Sequence, residues 1–417
     1  MSATTGHGGE ATDLAPLDSY RSHVLARIAP LEPLELALLE AHGCVLAEDV
    51  AARASIPRFD NSAMDGYAVA AAAVEPGTPL EVLGEAAAGA PADAEVTPGG
   101  AVRIMTGAPI PAGADAVVPV EEAEEEHGKV TLRVAPAPGD HVRRAGEDVR
   151  EGDSVLGAGT RLQAAELGML ASLGHNRAVV HPKPRLVVLS TGDELVDPGG
   201  PLGPGQLYDS NSFMLTALAR EAGAACYRQP IVPDDREQLQ EAFEGALPRA
   251  DVLVTSGGVS AGRYDLVKEV LAELGDVEFT RVAMKPGMPQ AFGFLASGAA
   301  DPVPCFGLPG NPVSAYVSFE VFVRPAIRRM QGRSDLNRPR IAAIADEAFD
   351  APPGKVTFLR VMLERGDGAW HARTTGAQGS GLLHSVVNAH GLAEIPAERT
   401  RVERGEQVLV HLLVDPA

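Results

Sequence analysis

The stretch RLVVLSTGDE, residues 185–194, decides the fold, because an apolar run of strand length ends there in a polar turn that contains glycine. The same pattern recurs up to about residue 330. The apolar runs taken as strands are Arg185–Leu189, Asp251–Thr255, Glu278–Met284 and Val303–Gly307, and helices are predicted at Ser212–Ala222, Arg236–Leu247, Leu266–Leu274 and Val313–Met330. Strands that alternate with helices at this spacing predict a parallel sheet covered by helices on both faces.

Smaller segments flank this α/β region on both sides. Apolar residues at helical spacing predict helices at Leu17–Ile28, Leu34–Ala41 and Gln163–Leu173. Short apolar runs broken by Pro and Gly predict a small β-rich domain between about residues 60 and 150, and this domain contains an acidic exposed turn at Glu121–Glu126. The chain becomes β-rich again after Ser334, with a last strand at Val408–Val414.

Composition limits the class of protein. A chain of 417 residues exceeds what one core usually organises, so several domains are expected. The net charge of −21 disfavours nucleic acid and anionic membranes as partners. Three unclustered cysteines argue against a disulfide framework, and we find neither a leader-like segment nor an apolar stretch long enough to span a bilayer. These features predict a soluble, cytoplasmic protein.

Polar turns follow all four strands of the predicted sheet. They are Ser190-Thr191-Gly192-Asp193-Glu194, Ser256-Gly257-Gly258-Val259-Ser260, Lys285-Pro286-Gly287 and Gly310-Asn311-Pro312-Val313-Ser314. The carboxyl ends of parallel strands share one edge of the sheet, and ligands bind at that edge. Glycine lets a backbone approach a phosphate closely, and the following helix offers free N–H groups. We therefore predict a site for a small anionic molecule that carries phosphate.

Three charged residues near this edge have defined chemical roles in the prediction. Glu194 and Asp265 are candidates to share Mg²⁺, a hard cation that prefers carboxylate and water ligands, although both residues also suit helix caps. Lys285 precedes a proline and should stand over the sheet edge; the alternative is a solvated lysine. The chain has no P-loop, no dinucleotide-binding GxGxxG after a strand and no HExxH zinc motif.

A second group of turns lies in the β-rich segment. FDNSAMDGYA at residues 59–68 is interpreted as a rigid loop that presents Asp65, with Gly66 giving it backbone freedom; plain turn architecture is an equal alternative. Thr106 and Asp148 occupy similar turns at strand ends.

Seven motifs together resemble one family. They are FDNSAMDGYA (59–68), IMTGAPIP (104–111), RRAGEDV (143–149), STGDEL (190–195), SGGVSAGRYD (256–265), MKPGMP (284–289) and GLPGNPVSAY (307–316). In this order they resemble the molybdopterin molybdenumtransferase (MoeA) family, which includes the C-terminal domain of gephyrin. The resemblance covers nearly the whole chain from about residue 15.

The resemblance implies a multidomain α/β and β fold. Domain I would comprise residues 14–58 and 150–182, and domain II the small β-rich part at 59–149. Domain III would be a molybdopterin-binding, MoaB/Mog-like α/β domain with a central parallel sheet at 183–331, and domain IV a C-terminal β-barrel-like domain at 332–417. The family also implies a homodimer with sites at the subunit interface and a transient contact with the molybdopterin adenylyltransferase.

The implied reaction converts adenylyl-molybdopterin and molybdate, with Mg²⁺ as cofactor, into Mo-molybdopterin and AMP. By motif, the catalytic positions are Asp65, Thr106, Asp148, Asp234 and Lys285, and the metal ligands are Glu194 and Asp265. The substrate-binding positions are Ser190, Thr191, Gly192, Ser256, Gly257, Gly258, Ser260, Pro286, Gly287, Asn311, Pro312 and Ser314, together with Arg360 and Ser380, which would hold molybdate.

This sequence departs from the family pattern at a few positions. Met288 stands where many members have a second lysine, Lys355 and Thr357 replace an arginine and a glutamate, and Gly381 follows Ser380 where a larger residue is common. Two alternative functions stay open: a molybdopterin adenylyltransferase, which shares the binding fold, and a non-catalytic scaffold related to gephyrin. The sequence does not distinguish molybdate from tungstate as the substrate.

Overall fold

The computed structural model describes residues 14–90, 92–258, 266–298 and 300–414. The described chain forms two compact units. The barrel-containing unit is made from the described parts of Met1–Leu34, Gly43–Val45 and His181–Ala417, and the N-terminal unit from those of Glu35–His42 and Leu46–Val180. Among the described residues no helix is long and apolar enough to cross a membrane. The four predicted domain boundaries stay predictions.

The elements are numbered in chain order. The helices are α1 (Leu17–Ala26), α2 (Ala164–Ser172), α3 (Asn211–Ala222), α4 (Arg236–Ala246), α5 (Leu266–Leu274), α6 (Pro312–Ser318), α7 (Arg324–Met330) and α8 (His384–Val387). The strands up to His181 are β1 (Leu34–Ala37), β2 (Val45–Leu46), β3 (Val50–Ala51), β4 (Asn61–Ser62), β5 (Gly66–Val69), β6 (Pro79–Ala86), β7 (Gly100–Ile104), β8 (Ala116–Pro119), β9 (Ala123–Glu126), β10 (Lys129–Leu132), β11 (Val142–Arg143), β12 (Ser154–Leu156) and β13 (Arg177–His181). The later strands are β14 (Arg185–Ser190), β15 (Leu195–Val196), β16 (Leu207–Tyr208), β17 (Ala225–Arg228), β18 (Val252–Ser256), β19 (Gly275–Arg281), β20 (Met284–Lys285), β21 (Pro289–Ser297), β22 (Ala300–Leu308), β23 (Arg340–Ala345), β24 (Phe349–Asp350), β25 (Val356–Gly366), β26 (Ala369–Thr374), β27 (Gly391–Ile395), β28 (Arg401–Val402) and β29 (Gln407–Leu412).

The predicted α/β region contains a six-stranded sheet in the order β17-β14-β18-β22-β21-β19. The first four strands are parallel, as expected. The sheet is nevertheless mixed, because β21 runs antiparallel to both β22 and β19. The expected strand Glu278–Met284 is in fact β19 followed by the short β20, and β21 was not predicted. An antiparallel pair needs only a short connection, so no helix separates β19 from β21.

Helices cover both faces of this sheet. Leu186 and Val188 of β14 pack in one cluster with side chains of α1, α3, α6 and α7, whereas Val187 and Leu189 pack in another with side chains of α4 and α5. Alternate side chains of one strand are therefore buried on opposite faces, as a sheet covered on both sides requires. Helix α1 begins at Leu17 as predicted, and the Tyr20 ring meets that of Phe322 edge-on at 5.1 Å.

A closed five-stranded barrel forms the C-terminal part, which confirms the barrel-like prediction. Its strands follow the order β25-β26-β23-β29-β27, and pairing between β25 and β27 closes it. The short strand β20 adds to β25 in parallel, with Lys285 opposite Thr357. The segment that carries Lys285 thus leaves the α/β sheet and joins the edge of the barrel.

The N-terminal unit holds a six-stranded sheet in the order β8-β5-β7-β6-β10-β9. Two predictions here were wrong. Part of the acidic turn at 121–126 is strand β9, whose Glu125 pairs with Val130 of β10. The expected helix Leu34–Ala41 is instead strand β1 in a three-stranded sheet with β13 and β2, where an ion pair joins Glu35 to Arg177. Pairing with a distant strand overrides a weak local helix preference.

Gly66 has a different role from the one predicted. It lies in strand β5 between β7 and β8, and it is not among the residues with positive φ. A Cβ atom at this position would lie 2.0 Å from the Val118 carbonyl oxygen. Glycine is required because two backbones approach closely, not because Asp65 needs conformational freedom.

The Gly66→Ala variant should therefore be strongly destabilised, by at least about 2 kcal/mol, since the clash is with backbone that no side-chain rotation relieves. Urea unfolding followed by circular dichroism measures this loss. The matched control is Gly84→Ala in strand β6, where the new Cβ would meet only the Ala94 Cβ at 3.4 Å. Equal stability losses in the two variants would contradict the proposed cause.

Candidate functional site

A cavity of about 290 Å³ opens at the carboxyl edge of the α/β sheet. Its walls come from the turns after β14, β18 and β22. The structure brings together at this cavity the predicted site residues Ser190, Thr191, Glu194, Ser256, Gly257, Asn311 and Pro312. Parallel pairing explains the convergence, because Ser190 stands opposite Ser256 and Ser256 stands opposite Leu308 in the register.

The turn after β14 is shaped by glycine. Gly192 has a φ of 144°, and a Cβ there would lie 2.4 Å from the Glu194 carboxylate. Glycine thus allows that carboxylate, exposed to solvent, to fold back over the turn. The Asp234 N–H donates a hydrogen bond to the Asp193 carboxylate at 3.1 Å, which places Asp234 beside the same turn.

The other glycine turn of the sheet edge follows β18. Gly257 and Gly258 have φ values of 98° and 68°, in the left-handed region that favours glycine. The Gly257 N–H donates to the Leu308 carbonyl at 3.1 Å, so this turn is tied to the end of β22. Ser260 and Asp265, the predicted substrate and metal ligands of the same motif, lie outside the described residues.

Two residues that the sequence reasoning missed hold the strand ends together. The buried Asp209 carboxylate accepts hydrogen bonds from the Ser190 hydroxyl and from the Ser212 N–H and hydroxyl. The Asn211 amide donates to the Ser256 hydroxyl at 2.8 Å and to the Gly310 carbonyl at 2.6 Å. An Asp-Ser-Asn run just before a helix is a start signal, and this signal could have drawn attention to them.

A second cavity, of about 280 Å³, lies between the β20 segment and the barrel. Lys285, Pro286 and Arg360 line it together with Thr357 and Gln378. The Arg360 side chain is only 1% exposed. Its Nε donates to the Ser385 hydroxyl at 3.1 Å and its Nη2 to the Gly379 carbonyl at 3.2 Å. Burial lowers the pKa of Arg360 to about 10.

The charges of this second cavity favour an anion. The Glu347 carboxylate accepts hydrogen bonds from the Thr374 N–H and hydroxyl, and Asp350 pairs with Arg401. Within the described part of the chain, Arg360 has no carboxylate partner, and the Lys285 side chain makes neither a hydrogen bond nor an ion pair. The exposed carboxylates of Glu347 and Asp350 also line this cavity, but its buried charged residue is Arg360, and an unpaired buried cation is unfavourable without an anion.

The amino end of α6, where Pro312 lines the first cavity, is hydrogen-bonded to the segment that holds Arg360. The Val313 N–H donates to the Ser380 carbonyl at 3.0 Å, next to the Gly379 that accepts from Arg360. Ser314 is buried in the same helix. Gly287, with a φ of 98°, lies close to the last residue of α6, since a Cβ at this glycine would be 2.6 Å from the Ser318 hydroxyl oxygen.

Of the four positions that depart from the family pattern, Thr357 lines the second cavity. The Met288 sulfur lies 3.7 Å from a guanidinium nitrogen of Arg281 and 3.9 Å from the Lys355 ammonium. Thr357 is buried in the wall. At Gly381 a Cβ would meet no atom within 4 Å, so the site does not require glycine there for steric reasons.

The remaining predicted catalytic residues lie in the N-terminal unit. The Asp65 carboxylate accepts hydrogen bonds from the Thr106 N–H at 2.7 Å and from its hydroxyl at 2.8 Å. These two bonds lower the pKa of Asp65 below its usual range. Asp148 is exposed in the same unit, and its N–H donates to the Ile56 carbonyl at 3.0 Å.

The described residues do not by themselves form a metal site, and the predicted ligand Asp265 lies outside them. Among the residues that the structure describes, no three His, Cys, Asp or Glu side chains gather closely enough to hold an ion by themselves. Glu194 is an exposed carboxylate at the sheet edge and is the described residue best placed to contribute. Mg²⁺ commonly takes one or two carboxylates and completes its shell with phosphate and water oxygens.

Comparison with known proteins gives consistent matches over almost the whole chain. Family models match it as the MoeA N-terminal region (domain I and II) at residues 15–174, a probable molybdopterin binding domain at 187–329 and the MoeA C-terminal region (domain IV) at 342–413. It is 43% identical over 389 residues to molybdopterin molybdenumtransferase 2 of Mycobacterium tuberculosis, covering 91% of this chain and 94% of that protein.

Two further relatives agree with these matches. The molybdopterin molybdenumtransferase of Haemophilus influenzae is 39% identical over 405 residues, which cover 95% of this chain and 99% of the relative. A crystal structure of the molybdopterin biosynthesis MoeA protein from Pyrococcus horikoshii superposes with a TM-score of 0.79 at 32% identity, covering 97% of this chain and 100% of that one.

The Asp65–Thr106 pair yields a prediction about pH. The two hydrogen bonds favour the ionised form of the Asp65 carboxylate. Their contribution to the stability of the folded protein is therefore present at neutral pH and is lost as the pH falls through the lowered pKa. Thr106→Val removes the hydroxyl donor but keeps the N–H, so the pKa of Asp65 should rise toward its ordinary value. A carbon-13 NMR titration, with the resonance assigned through Asp65→Asn, measures the change.

Thr106→Ser is the control for this titration, since it keeps a hydroxyl at the same position and should leave the pKa of Asp65 near that of the wild type. An unchanged pKa in Thr106→Val would show that the hydroxyl does not influence the carboxylate.

Proposed function

The chain belongs to the molybdopterin molybdenumtransferase (MoeA) family, and on this basis we propose that it inserts molybdenum during molybdenum-cofactor biosynthesis. In the proposed reaction, adenylyl-molybdopterin and molybdate give Mo-molybdopterin and AMP, with Mg²⁺ as cofactor. The family that the sequence motifs indicated is thereby confirmed. The assignment of individual site residues is our proposal.

The buried Arg360 is the observation that carries the proposal. Arg360 lines a small cavity and has no carboxylate partner among the described residues, and Lys285 lines the same cavity. Molybdate is a compact dianion with hydrogen-bond acceptors on every side, and two positive groups of this kind suit it.

The sheet-edge cavity supports the other half of the proposal. Glycine turns line it, and they let phosphate oxygens approach the backbone closely. Ser190, Thr191 and Asn311 add polar side chains. We assign the diphosphate link of adenylyl-molybdopterin to this cavity and molybdate to the cavity of Arg360. Ser380 would help to hold molybdate near the dithiolene sulfurs.

The described donor set is compatible with Mg²⁺ bound through the substrate. Glu194 would supply a carboxylate, and the diphosphate and water would supply the remaining oxygens. When bound, Mg²⁺ neutralises charge on the diphosphate as the phosphoanhydride is cleaved. This chain's own part is to position the Glu194 carboxylate, which Gly192 permits by leaving room beside it.

We propose that Asp65 orients the attacking group at the phosphoanhydride bound by the other chain of the homodimer. With its pKa lowered by Thr106, it stays ionised at neutral pH and is a weak proton acceptor, so it suits positioning better than general-base catalysis. We further propose the homodimer of the family, a cytoplasmic location and transient contact with the molybdopterin adenylyltransferase. Light scattering of the purified chain measures the dimer directly.

A turnover assay distinguishes the proposed function from an adenylyltransferase. The purified chain should consume adenylyl-molybdopterin and release AMP only when molybdate and Mg²⁺ are both present. Incubation with molybdopterin and ATP should give no adenylyl adduct. Adduct formation in the second assay, without consumption in the first, would reverse the assignment. Inactivity in both would favour a non-catalytic scaffold.

Arg360→Met tests the molybdate half of the site. Loss of an oxyanion donor commonly costs about 100-fold or more, so turnover and molybdate affinity by calorimetry should fall by roughly that factor. The unfolding temperature should change little, because the variant also removes a buried unpaired cation. Arg365→Met is the control, since this exposed arginine of the same strand packs on Trp370. Wild-type molybdate affinity in Arg360→Met would refute the role.

A further inference from the structure

We propose that Tyr208 is the residue on which the adenine ring of adenylyl-molybdopterin stacks. This inference rests on the proposed function, because it assigns one end of that substrate to a side chain. Tyr208 lines the sheet-edge cavity and is 42% exposed. It belongs to no motif through which the family resemblance was found, and none of the site roles above includes it.

The Tyr208 ring is exposed but held in place. Its hydroxyl donates a hydrogen bond to the Gly200 carbonyl at 2.9 Å, and its backbone lies in strand β16, paired with Val196 of β15. The next residue, Asp209, is buried and bonded to Ser190 and Ser212. An aromatic ring fixed at both ends loses little conformational freedom when a ligand stacks on it.

No other ring or cation occupies the face of Tyr208 in the described part of the chain. Its neighbour Phe213 is equally exposed, yet the Arg228 guanidinium already lies 4.5 Å from the centre of that ring. Leu195 and Leu207 line the cavity beside Tyr208. This end of the cavity therefore offers an aromatic ring and two leucines beside the Glu194 carboxylate, whereas neither a leucine nor an aromatic side chain lines the end at Asn311.

The order of the strands fixes the direction of the substrate. The cavity wall runs from the turn after β14, which adjoins Tyr208, across β18 to the turn after β22. The segment that holds Arg360 is tied to the β22 end by the hydrogen bond from the Val313 N–H to the Ser380 carbonyl. The dithiolene must reach molybdate there, and adenine lies on the opposite side of the diphosphate. Adenine is consequently placed at the β14 end, against Tyr208.

Titration calorimetry with AMP tests this placement. Removing an aromatic platform typically weakens binding of a stacked base by tenfold or more, so Tyr208→Leu should raise the Kd for AMP by roughly tenfold, equivalent to about 1.4 kcal/mol. Tyr208→Phe keeps the ring and should stay within about threefold of the wild type. Ribose 5-phosphate, which lacks the base, should bind the wild type and Tyr208→Leu equally.

Tyr227→Leu is the matched control, since Tyr227 is 59% exposed on strand β17 and does not line the cavity. It should bind AMP like the wild type. In turnover assays Tyr208→Leu should raise the KM for adenylyl-molybdopterin and leave the KM for molybdate unchanged. A misfolded Tyr208→Leu, seen as a lowered unfolding temperature, would alter both KM values, and Tyr208→Ala is then used in its place.

Equal AMP affinity in Tyr208→Leu and the wild type would overturn the inference while leaving molybdenum insertion in place. A wild-type chain that binds no AMP would overturn it as well. Conversely, AMP binding that depends on Tyr208 in a chain that never consumes adenylyl-molybdopterin would support the adenine site and refute the proposed function. The two proposals therefore fail in different assays.

Discussion

The Asn211 amide donates to the Ser256 hydroxyl and to the Gly310 carbonyl, and the geometry of the sheet edge depends on these two bonds. Parallel pairing brings the ends of β14, β18 and β22 side by side, but it does not fix the turns that follow them. Asn211 ties two of these turns, and the buried Asp209 ties the third through Ser190. A segment of three residues thus joins three separate turns into one wall, which carries the predicted ligands Ser190, Ser256 and Asn311.

The second organising constraint is electrostatic. The chain carries 21 more negative than positive groups, yet its small cavity beside the barrel holds a buried arginine without a carboxylate partner in the described residues. Pairing Arg360 with an acid would relieve the cost of burying it, but it would also occupy the site. The acids nearby, Glu347 and Asp350, are instead bonded to Thr374 and Arg401. The protein keeps an unfavourable charge where an oxyanion is to bind, as functional sites often do.

Sequence reasoning predicted the α/β core well because its signals are local. Between Arg185 and Met330 the apolar residues alternate between strand-like runs and helical spacing. Helices α3, α4 and α5 begin within one residue of the predicted positions. Sequence reasoning failed where a strand pairs with another strand that is distant in the sequence. Strand β1 looked helical from its own residues, and the antiparallel β21 has no signal that distinguishes its direction. Arg360 was identified only through the family resemblance, since no local pattern reports that a side chain will be buried without a counter-ion. Asp209 and Asn211 were missed because their function is to hold other residues.

The position of helix α6 explains how the two halves of the site act on one substrate. Its first turn borders the sheet-edge cavity through Pro312, and the Val313 N–H bonds to the carbonyl of Ser380 beside Arg360. Both cavities are therefore built on one compact unit, and α6 connects the wall of the first cavity to the segment that holds Arg360. A substrate anchored by its phosphates would present its dithiolene toward the oxyanion without closure of one domain on another. Alignment of two reactants on a rigid scaffold removes much of the entropic cost of bringing them together. In this proposal the barrel takes part in catalysis, because it carries Arg360, which positions molybdate next to the dithiolene of adenylyl-molybdopterin.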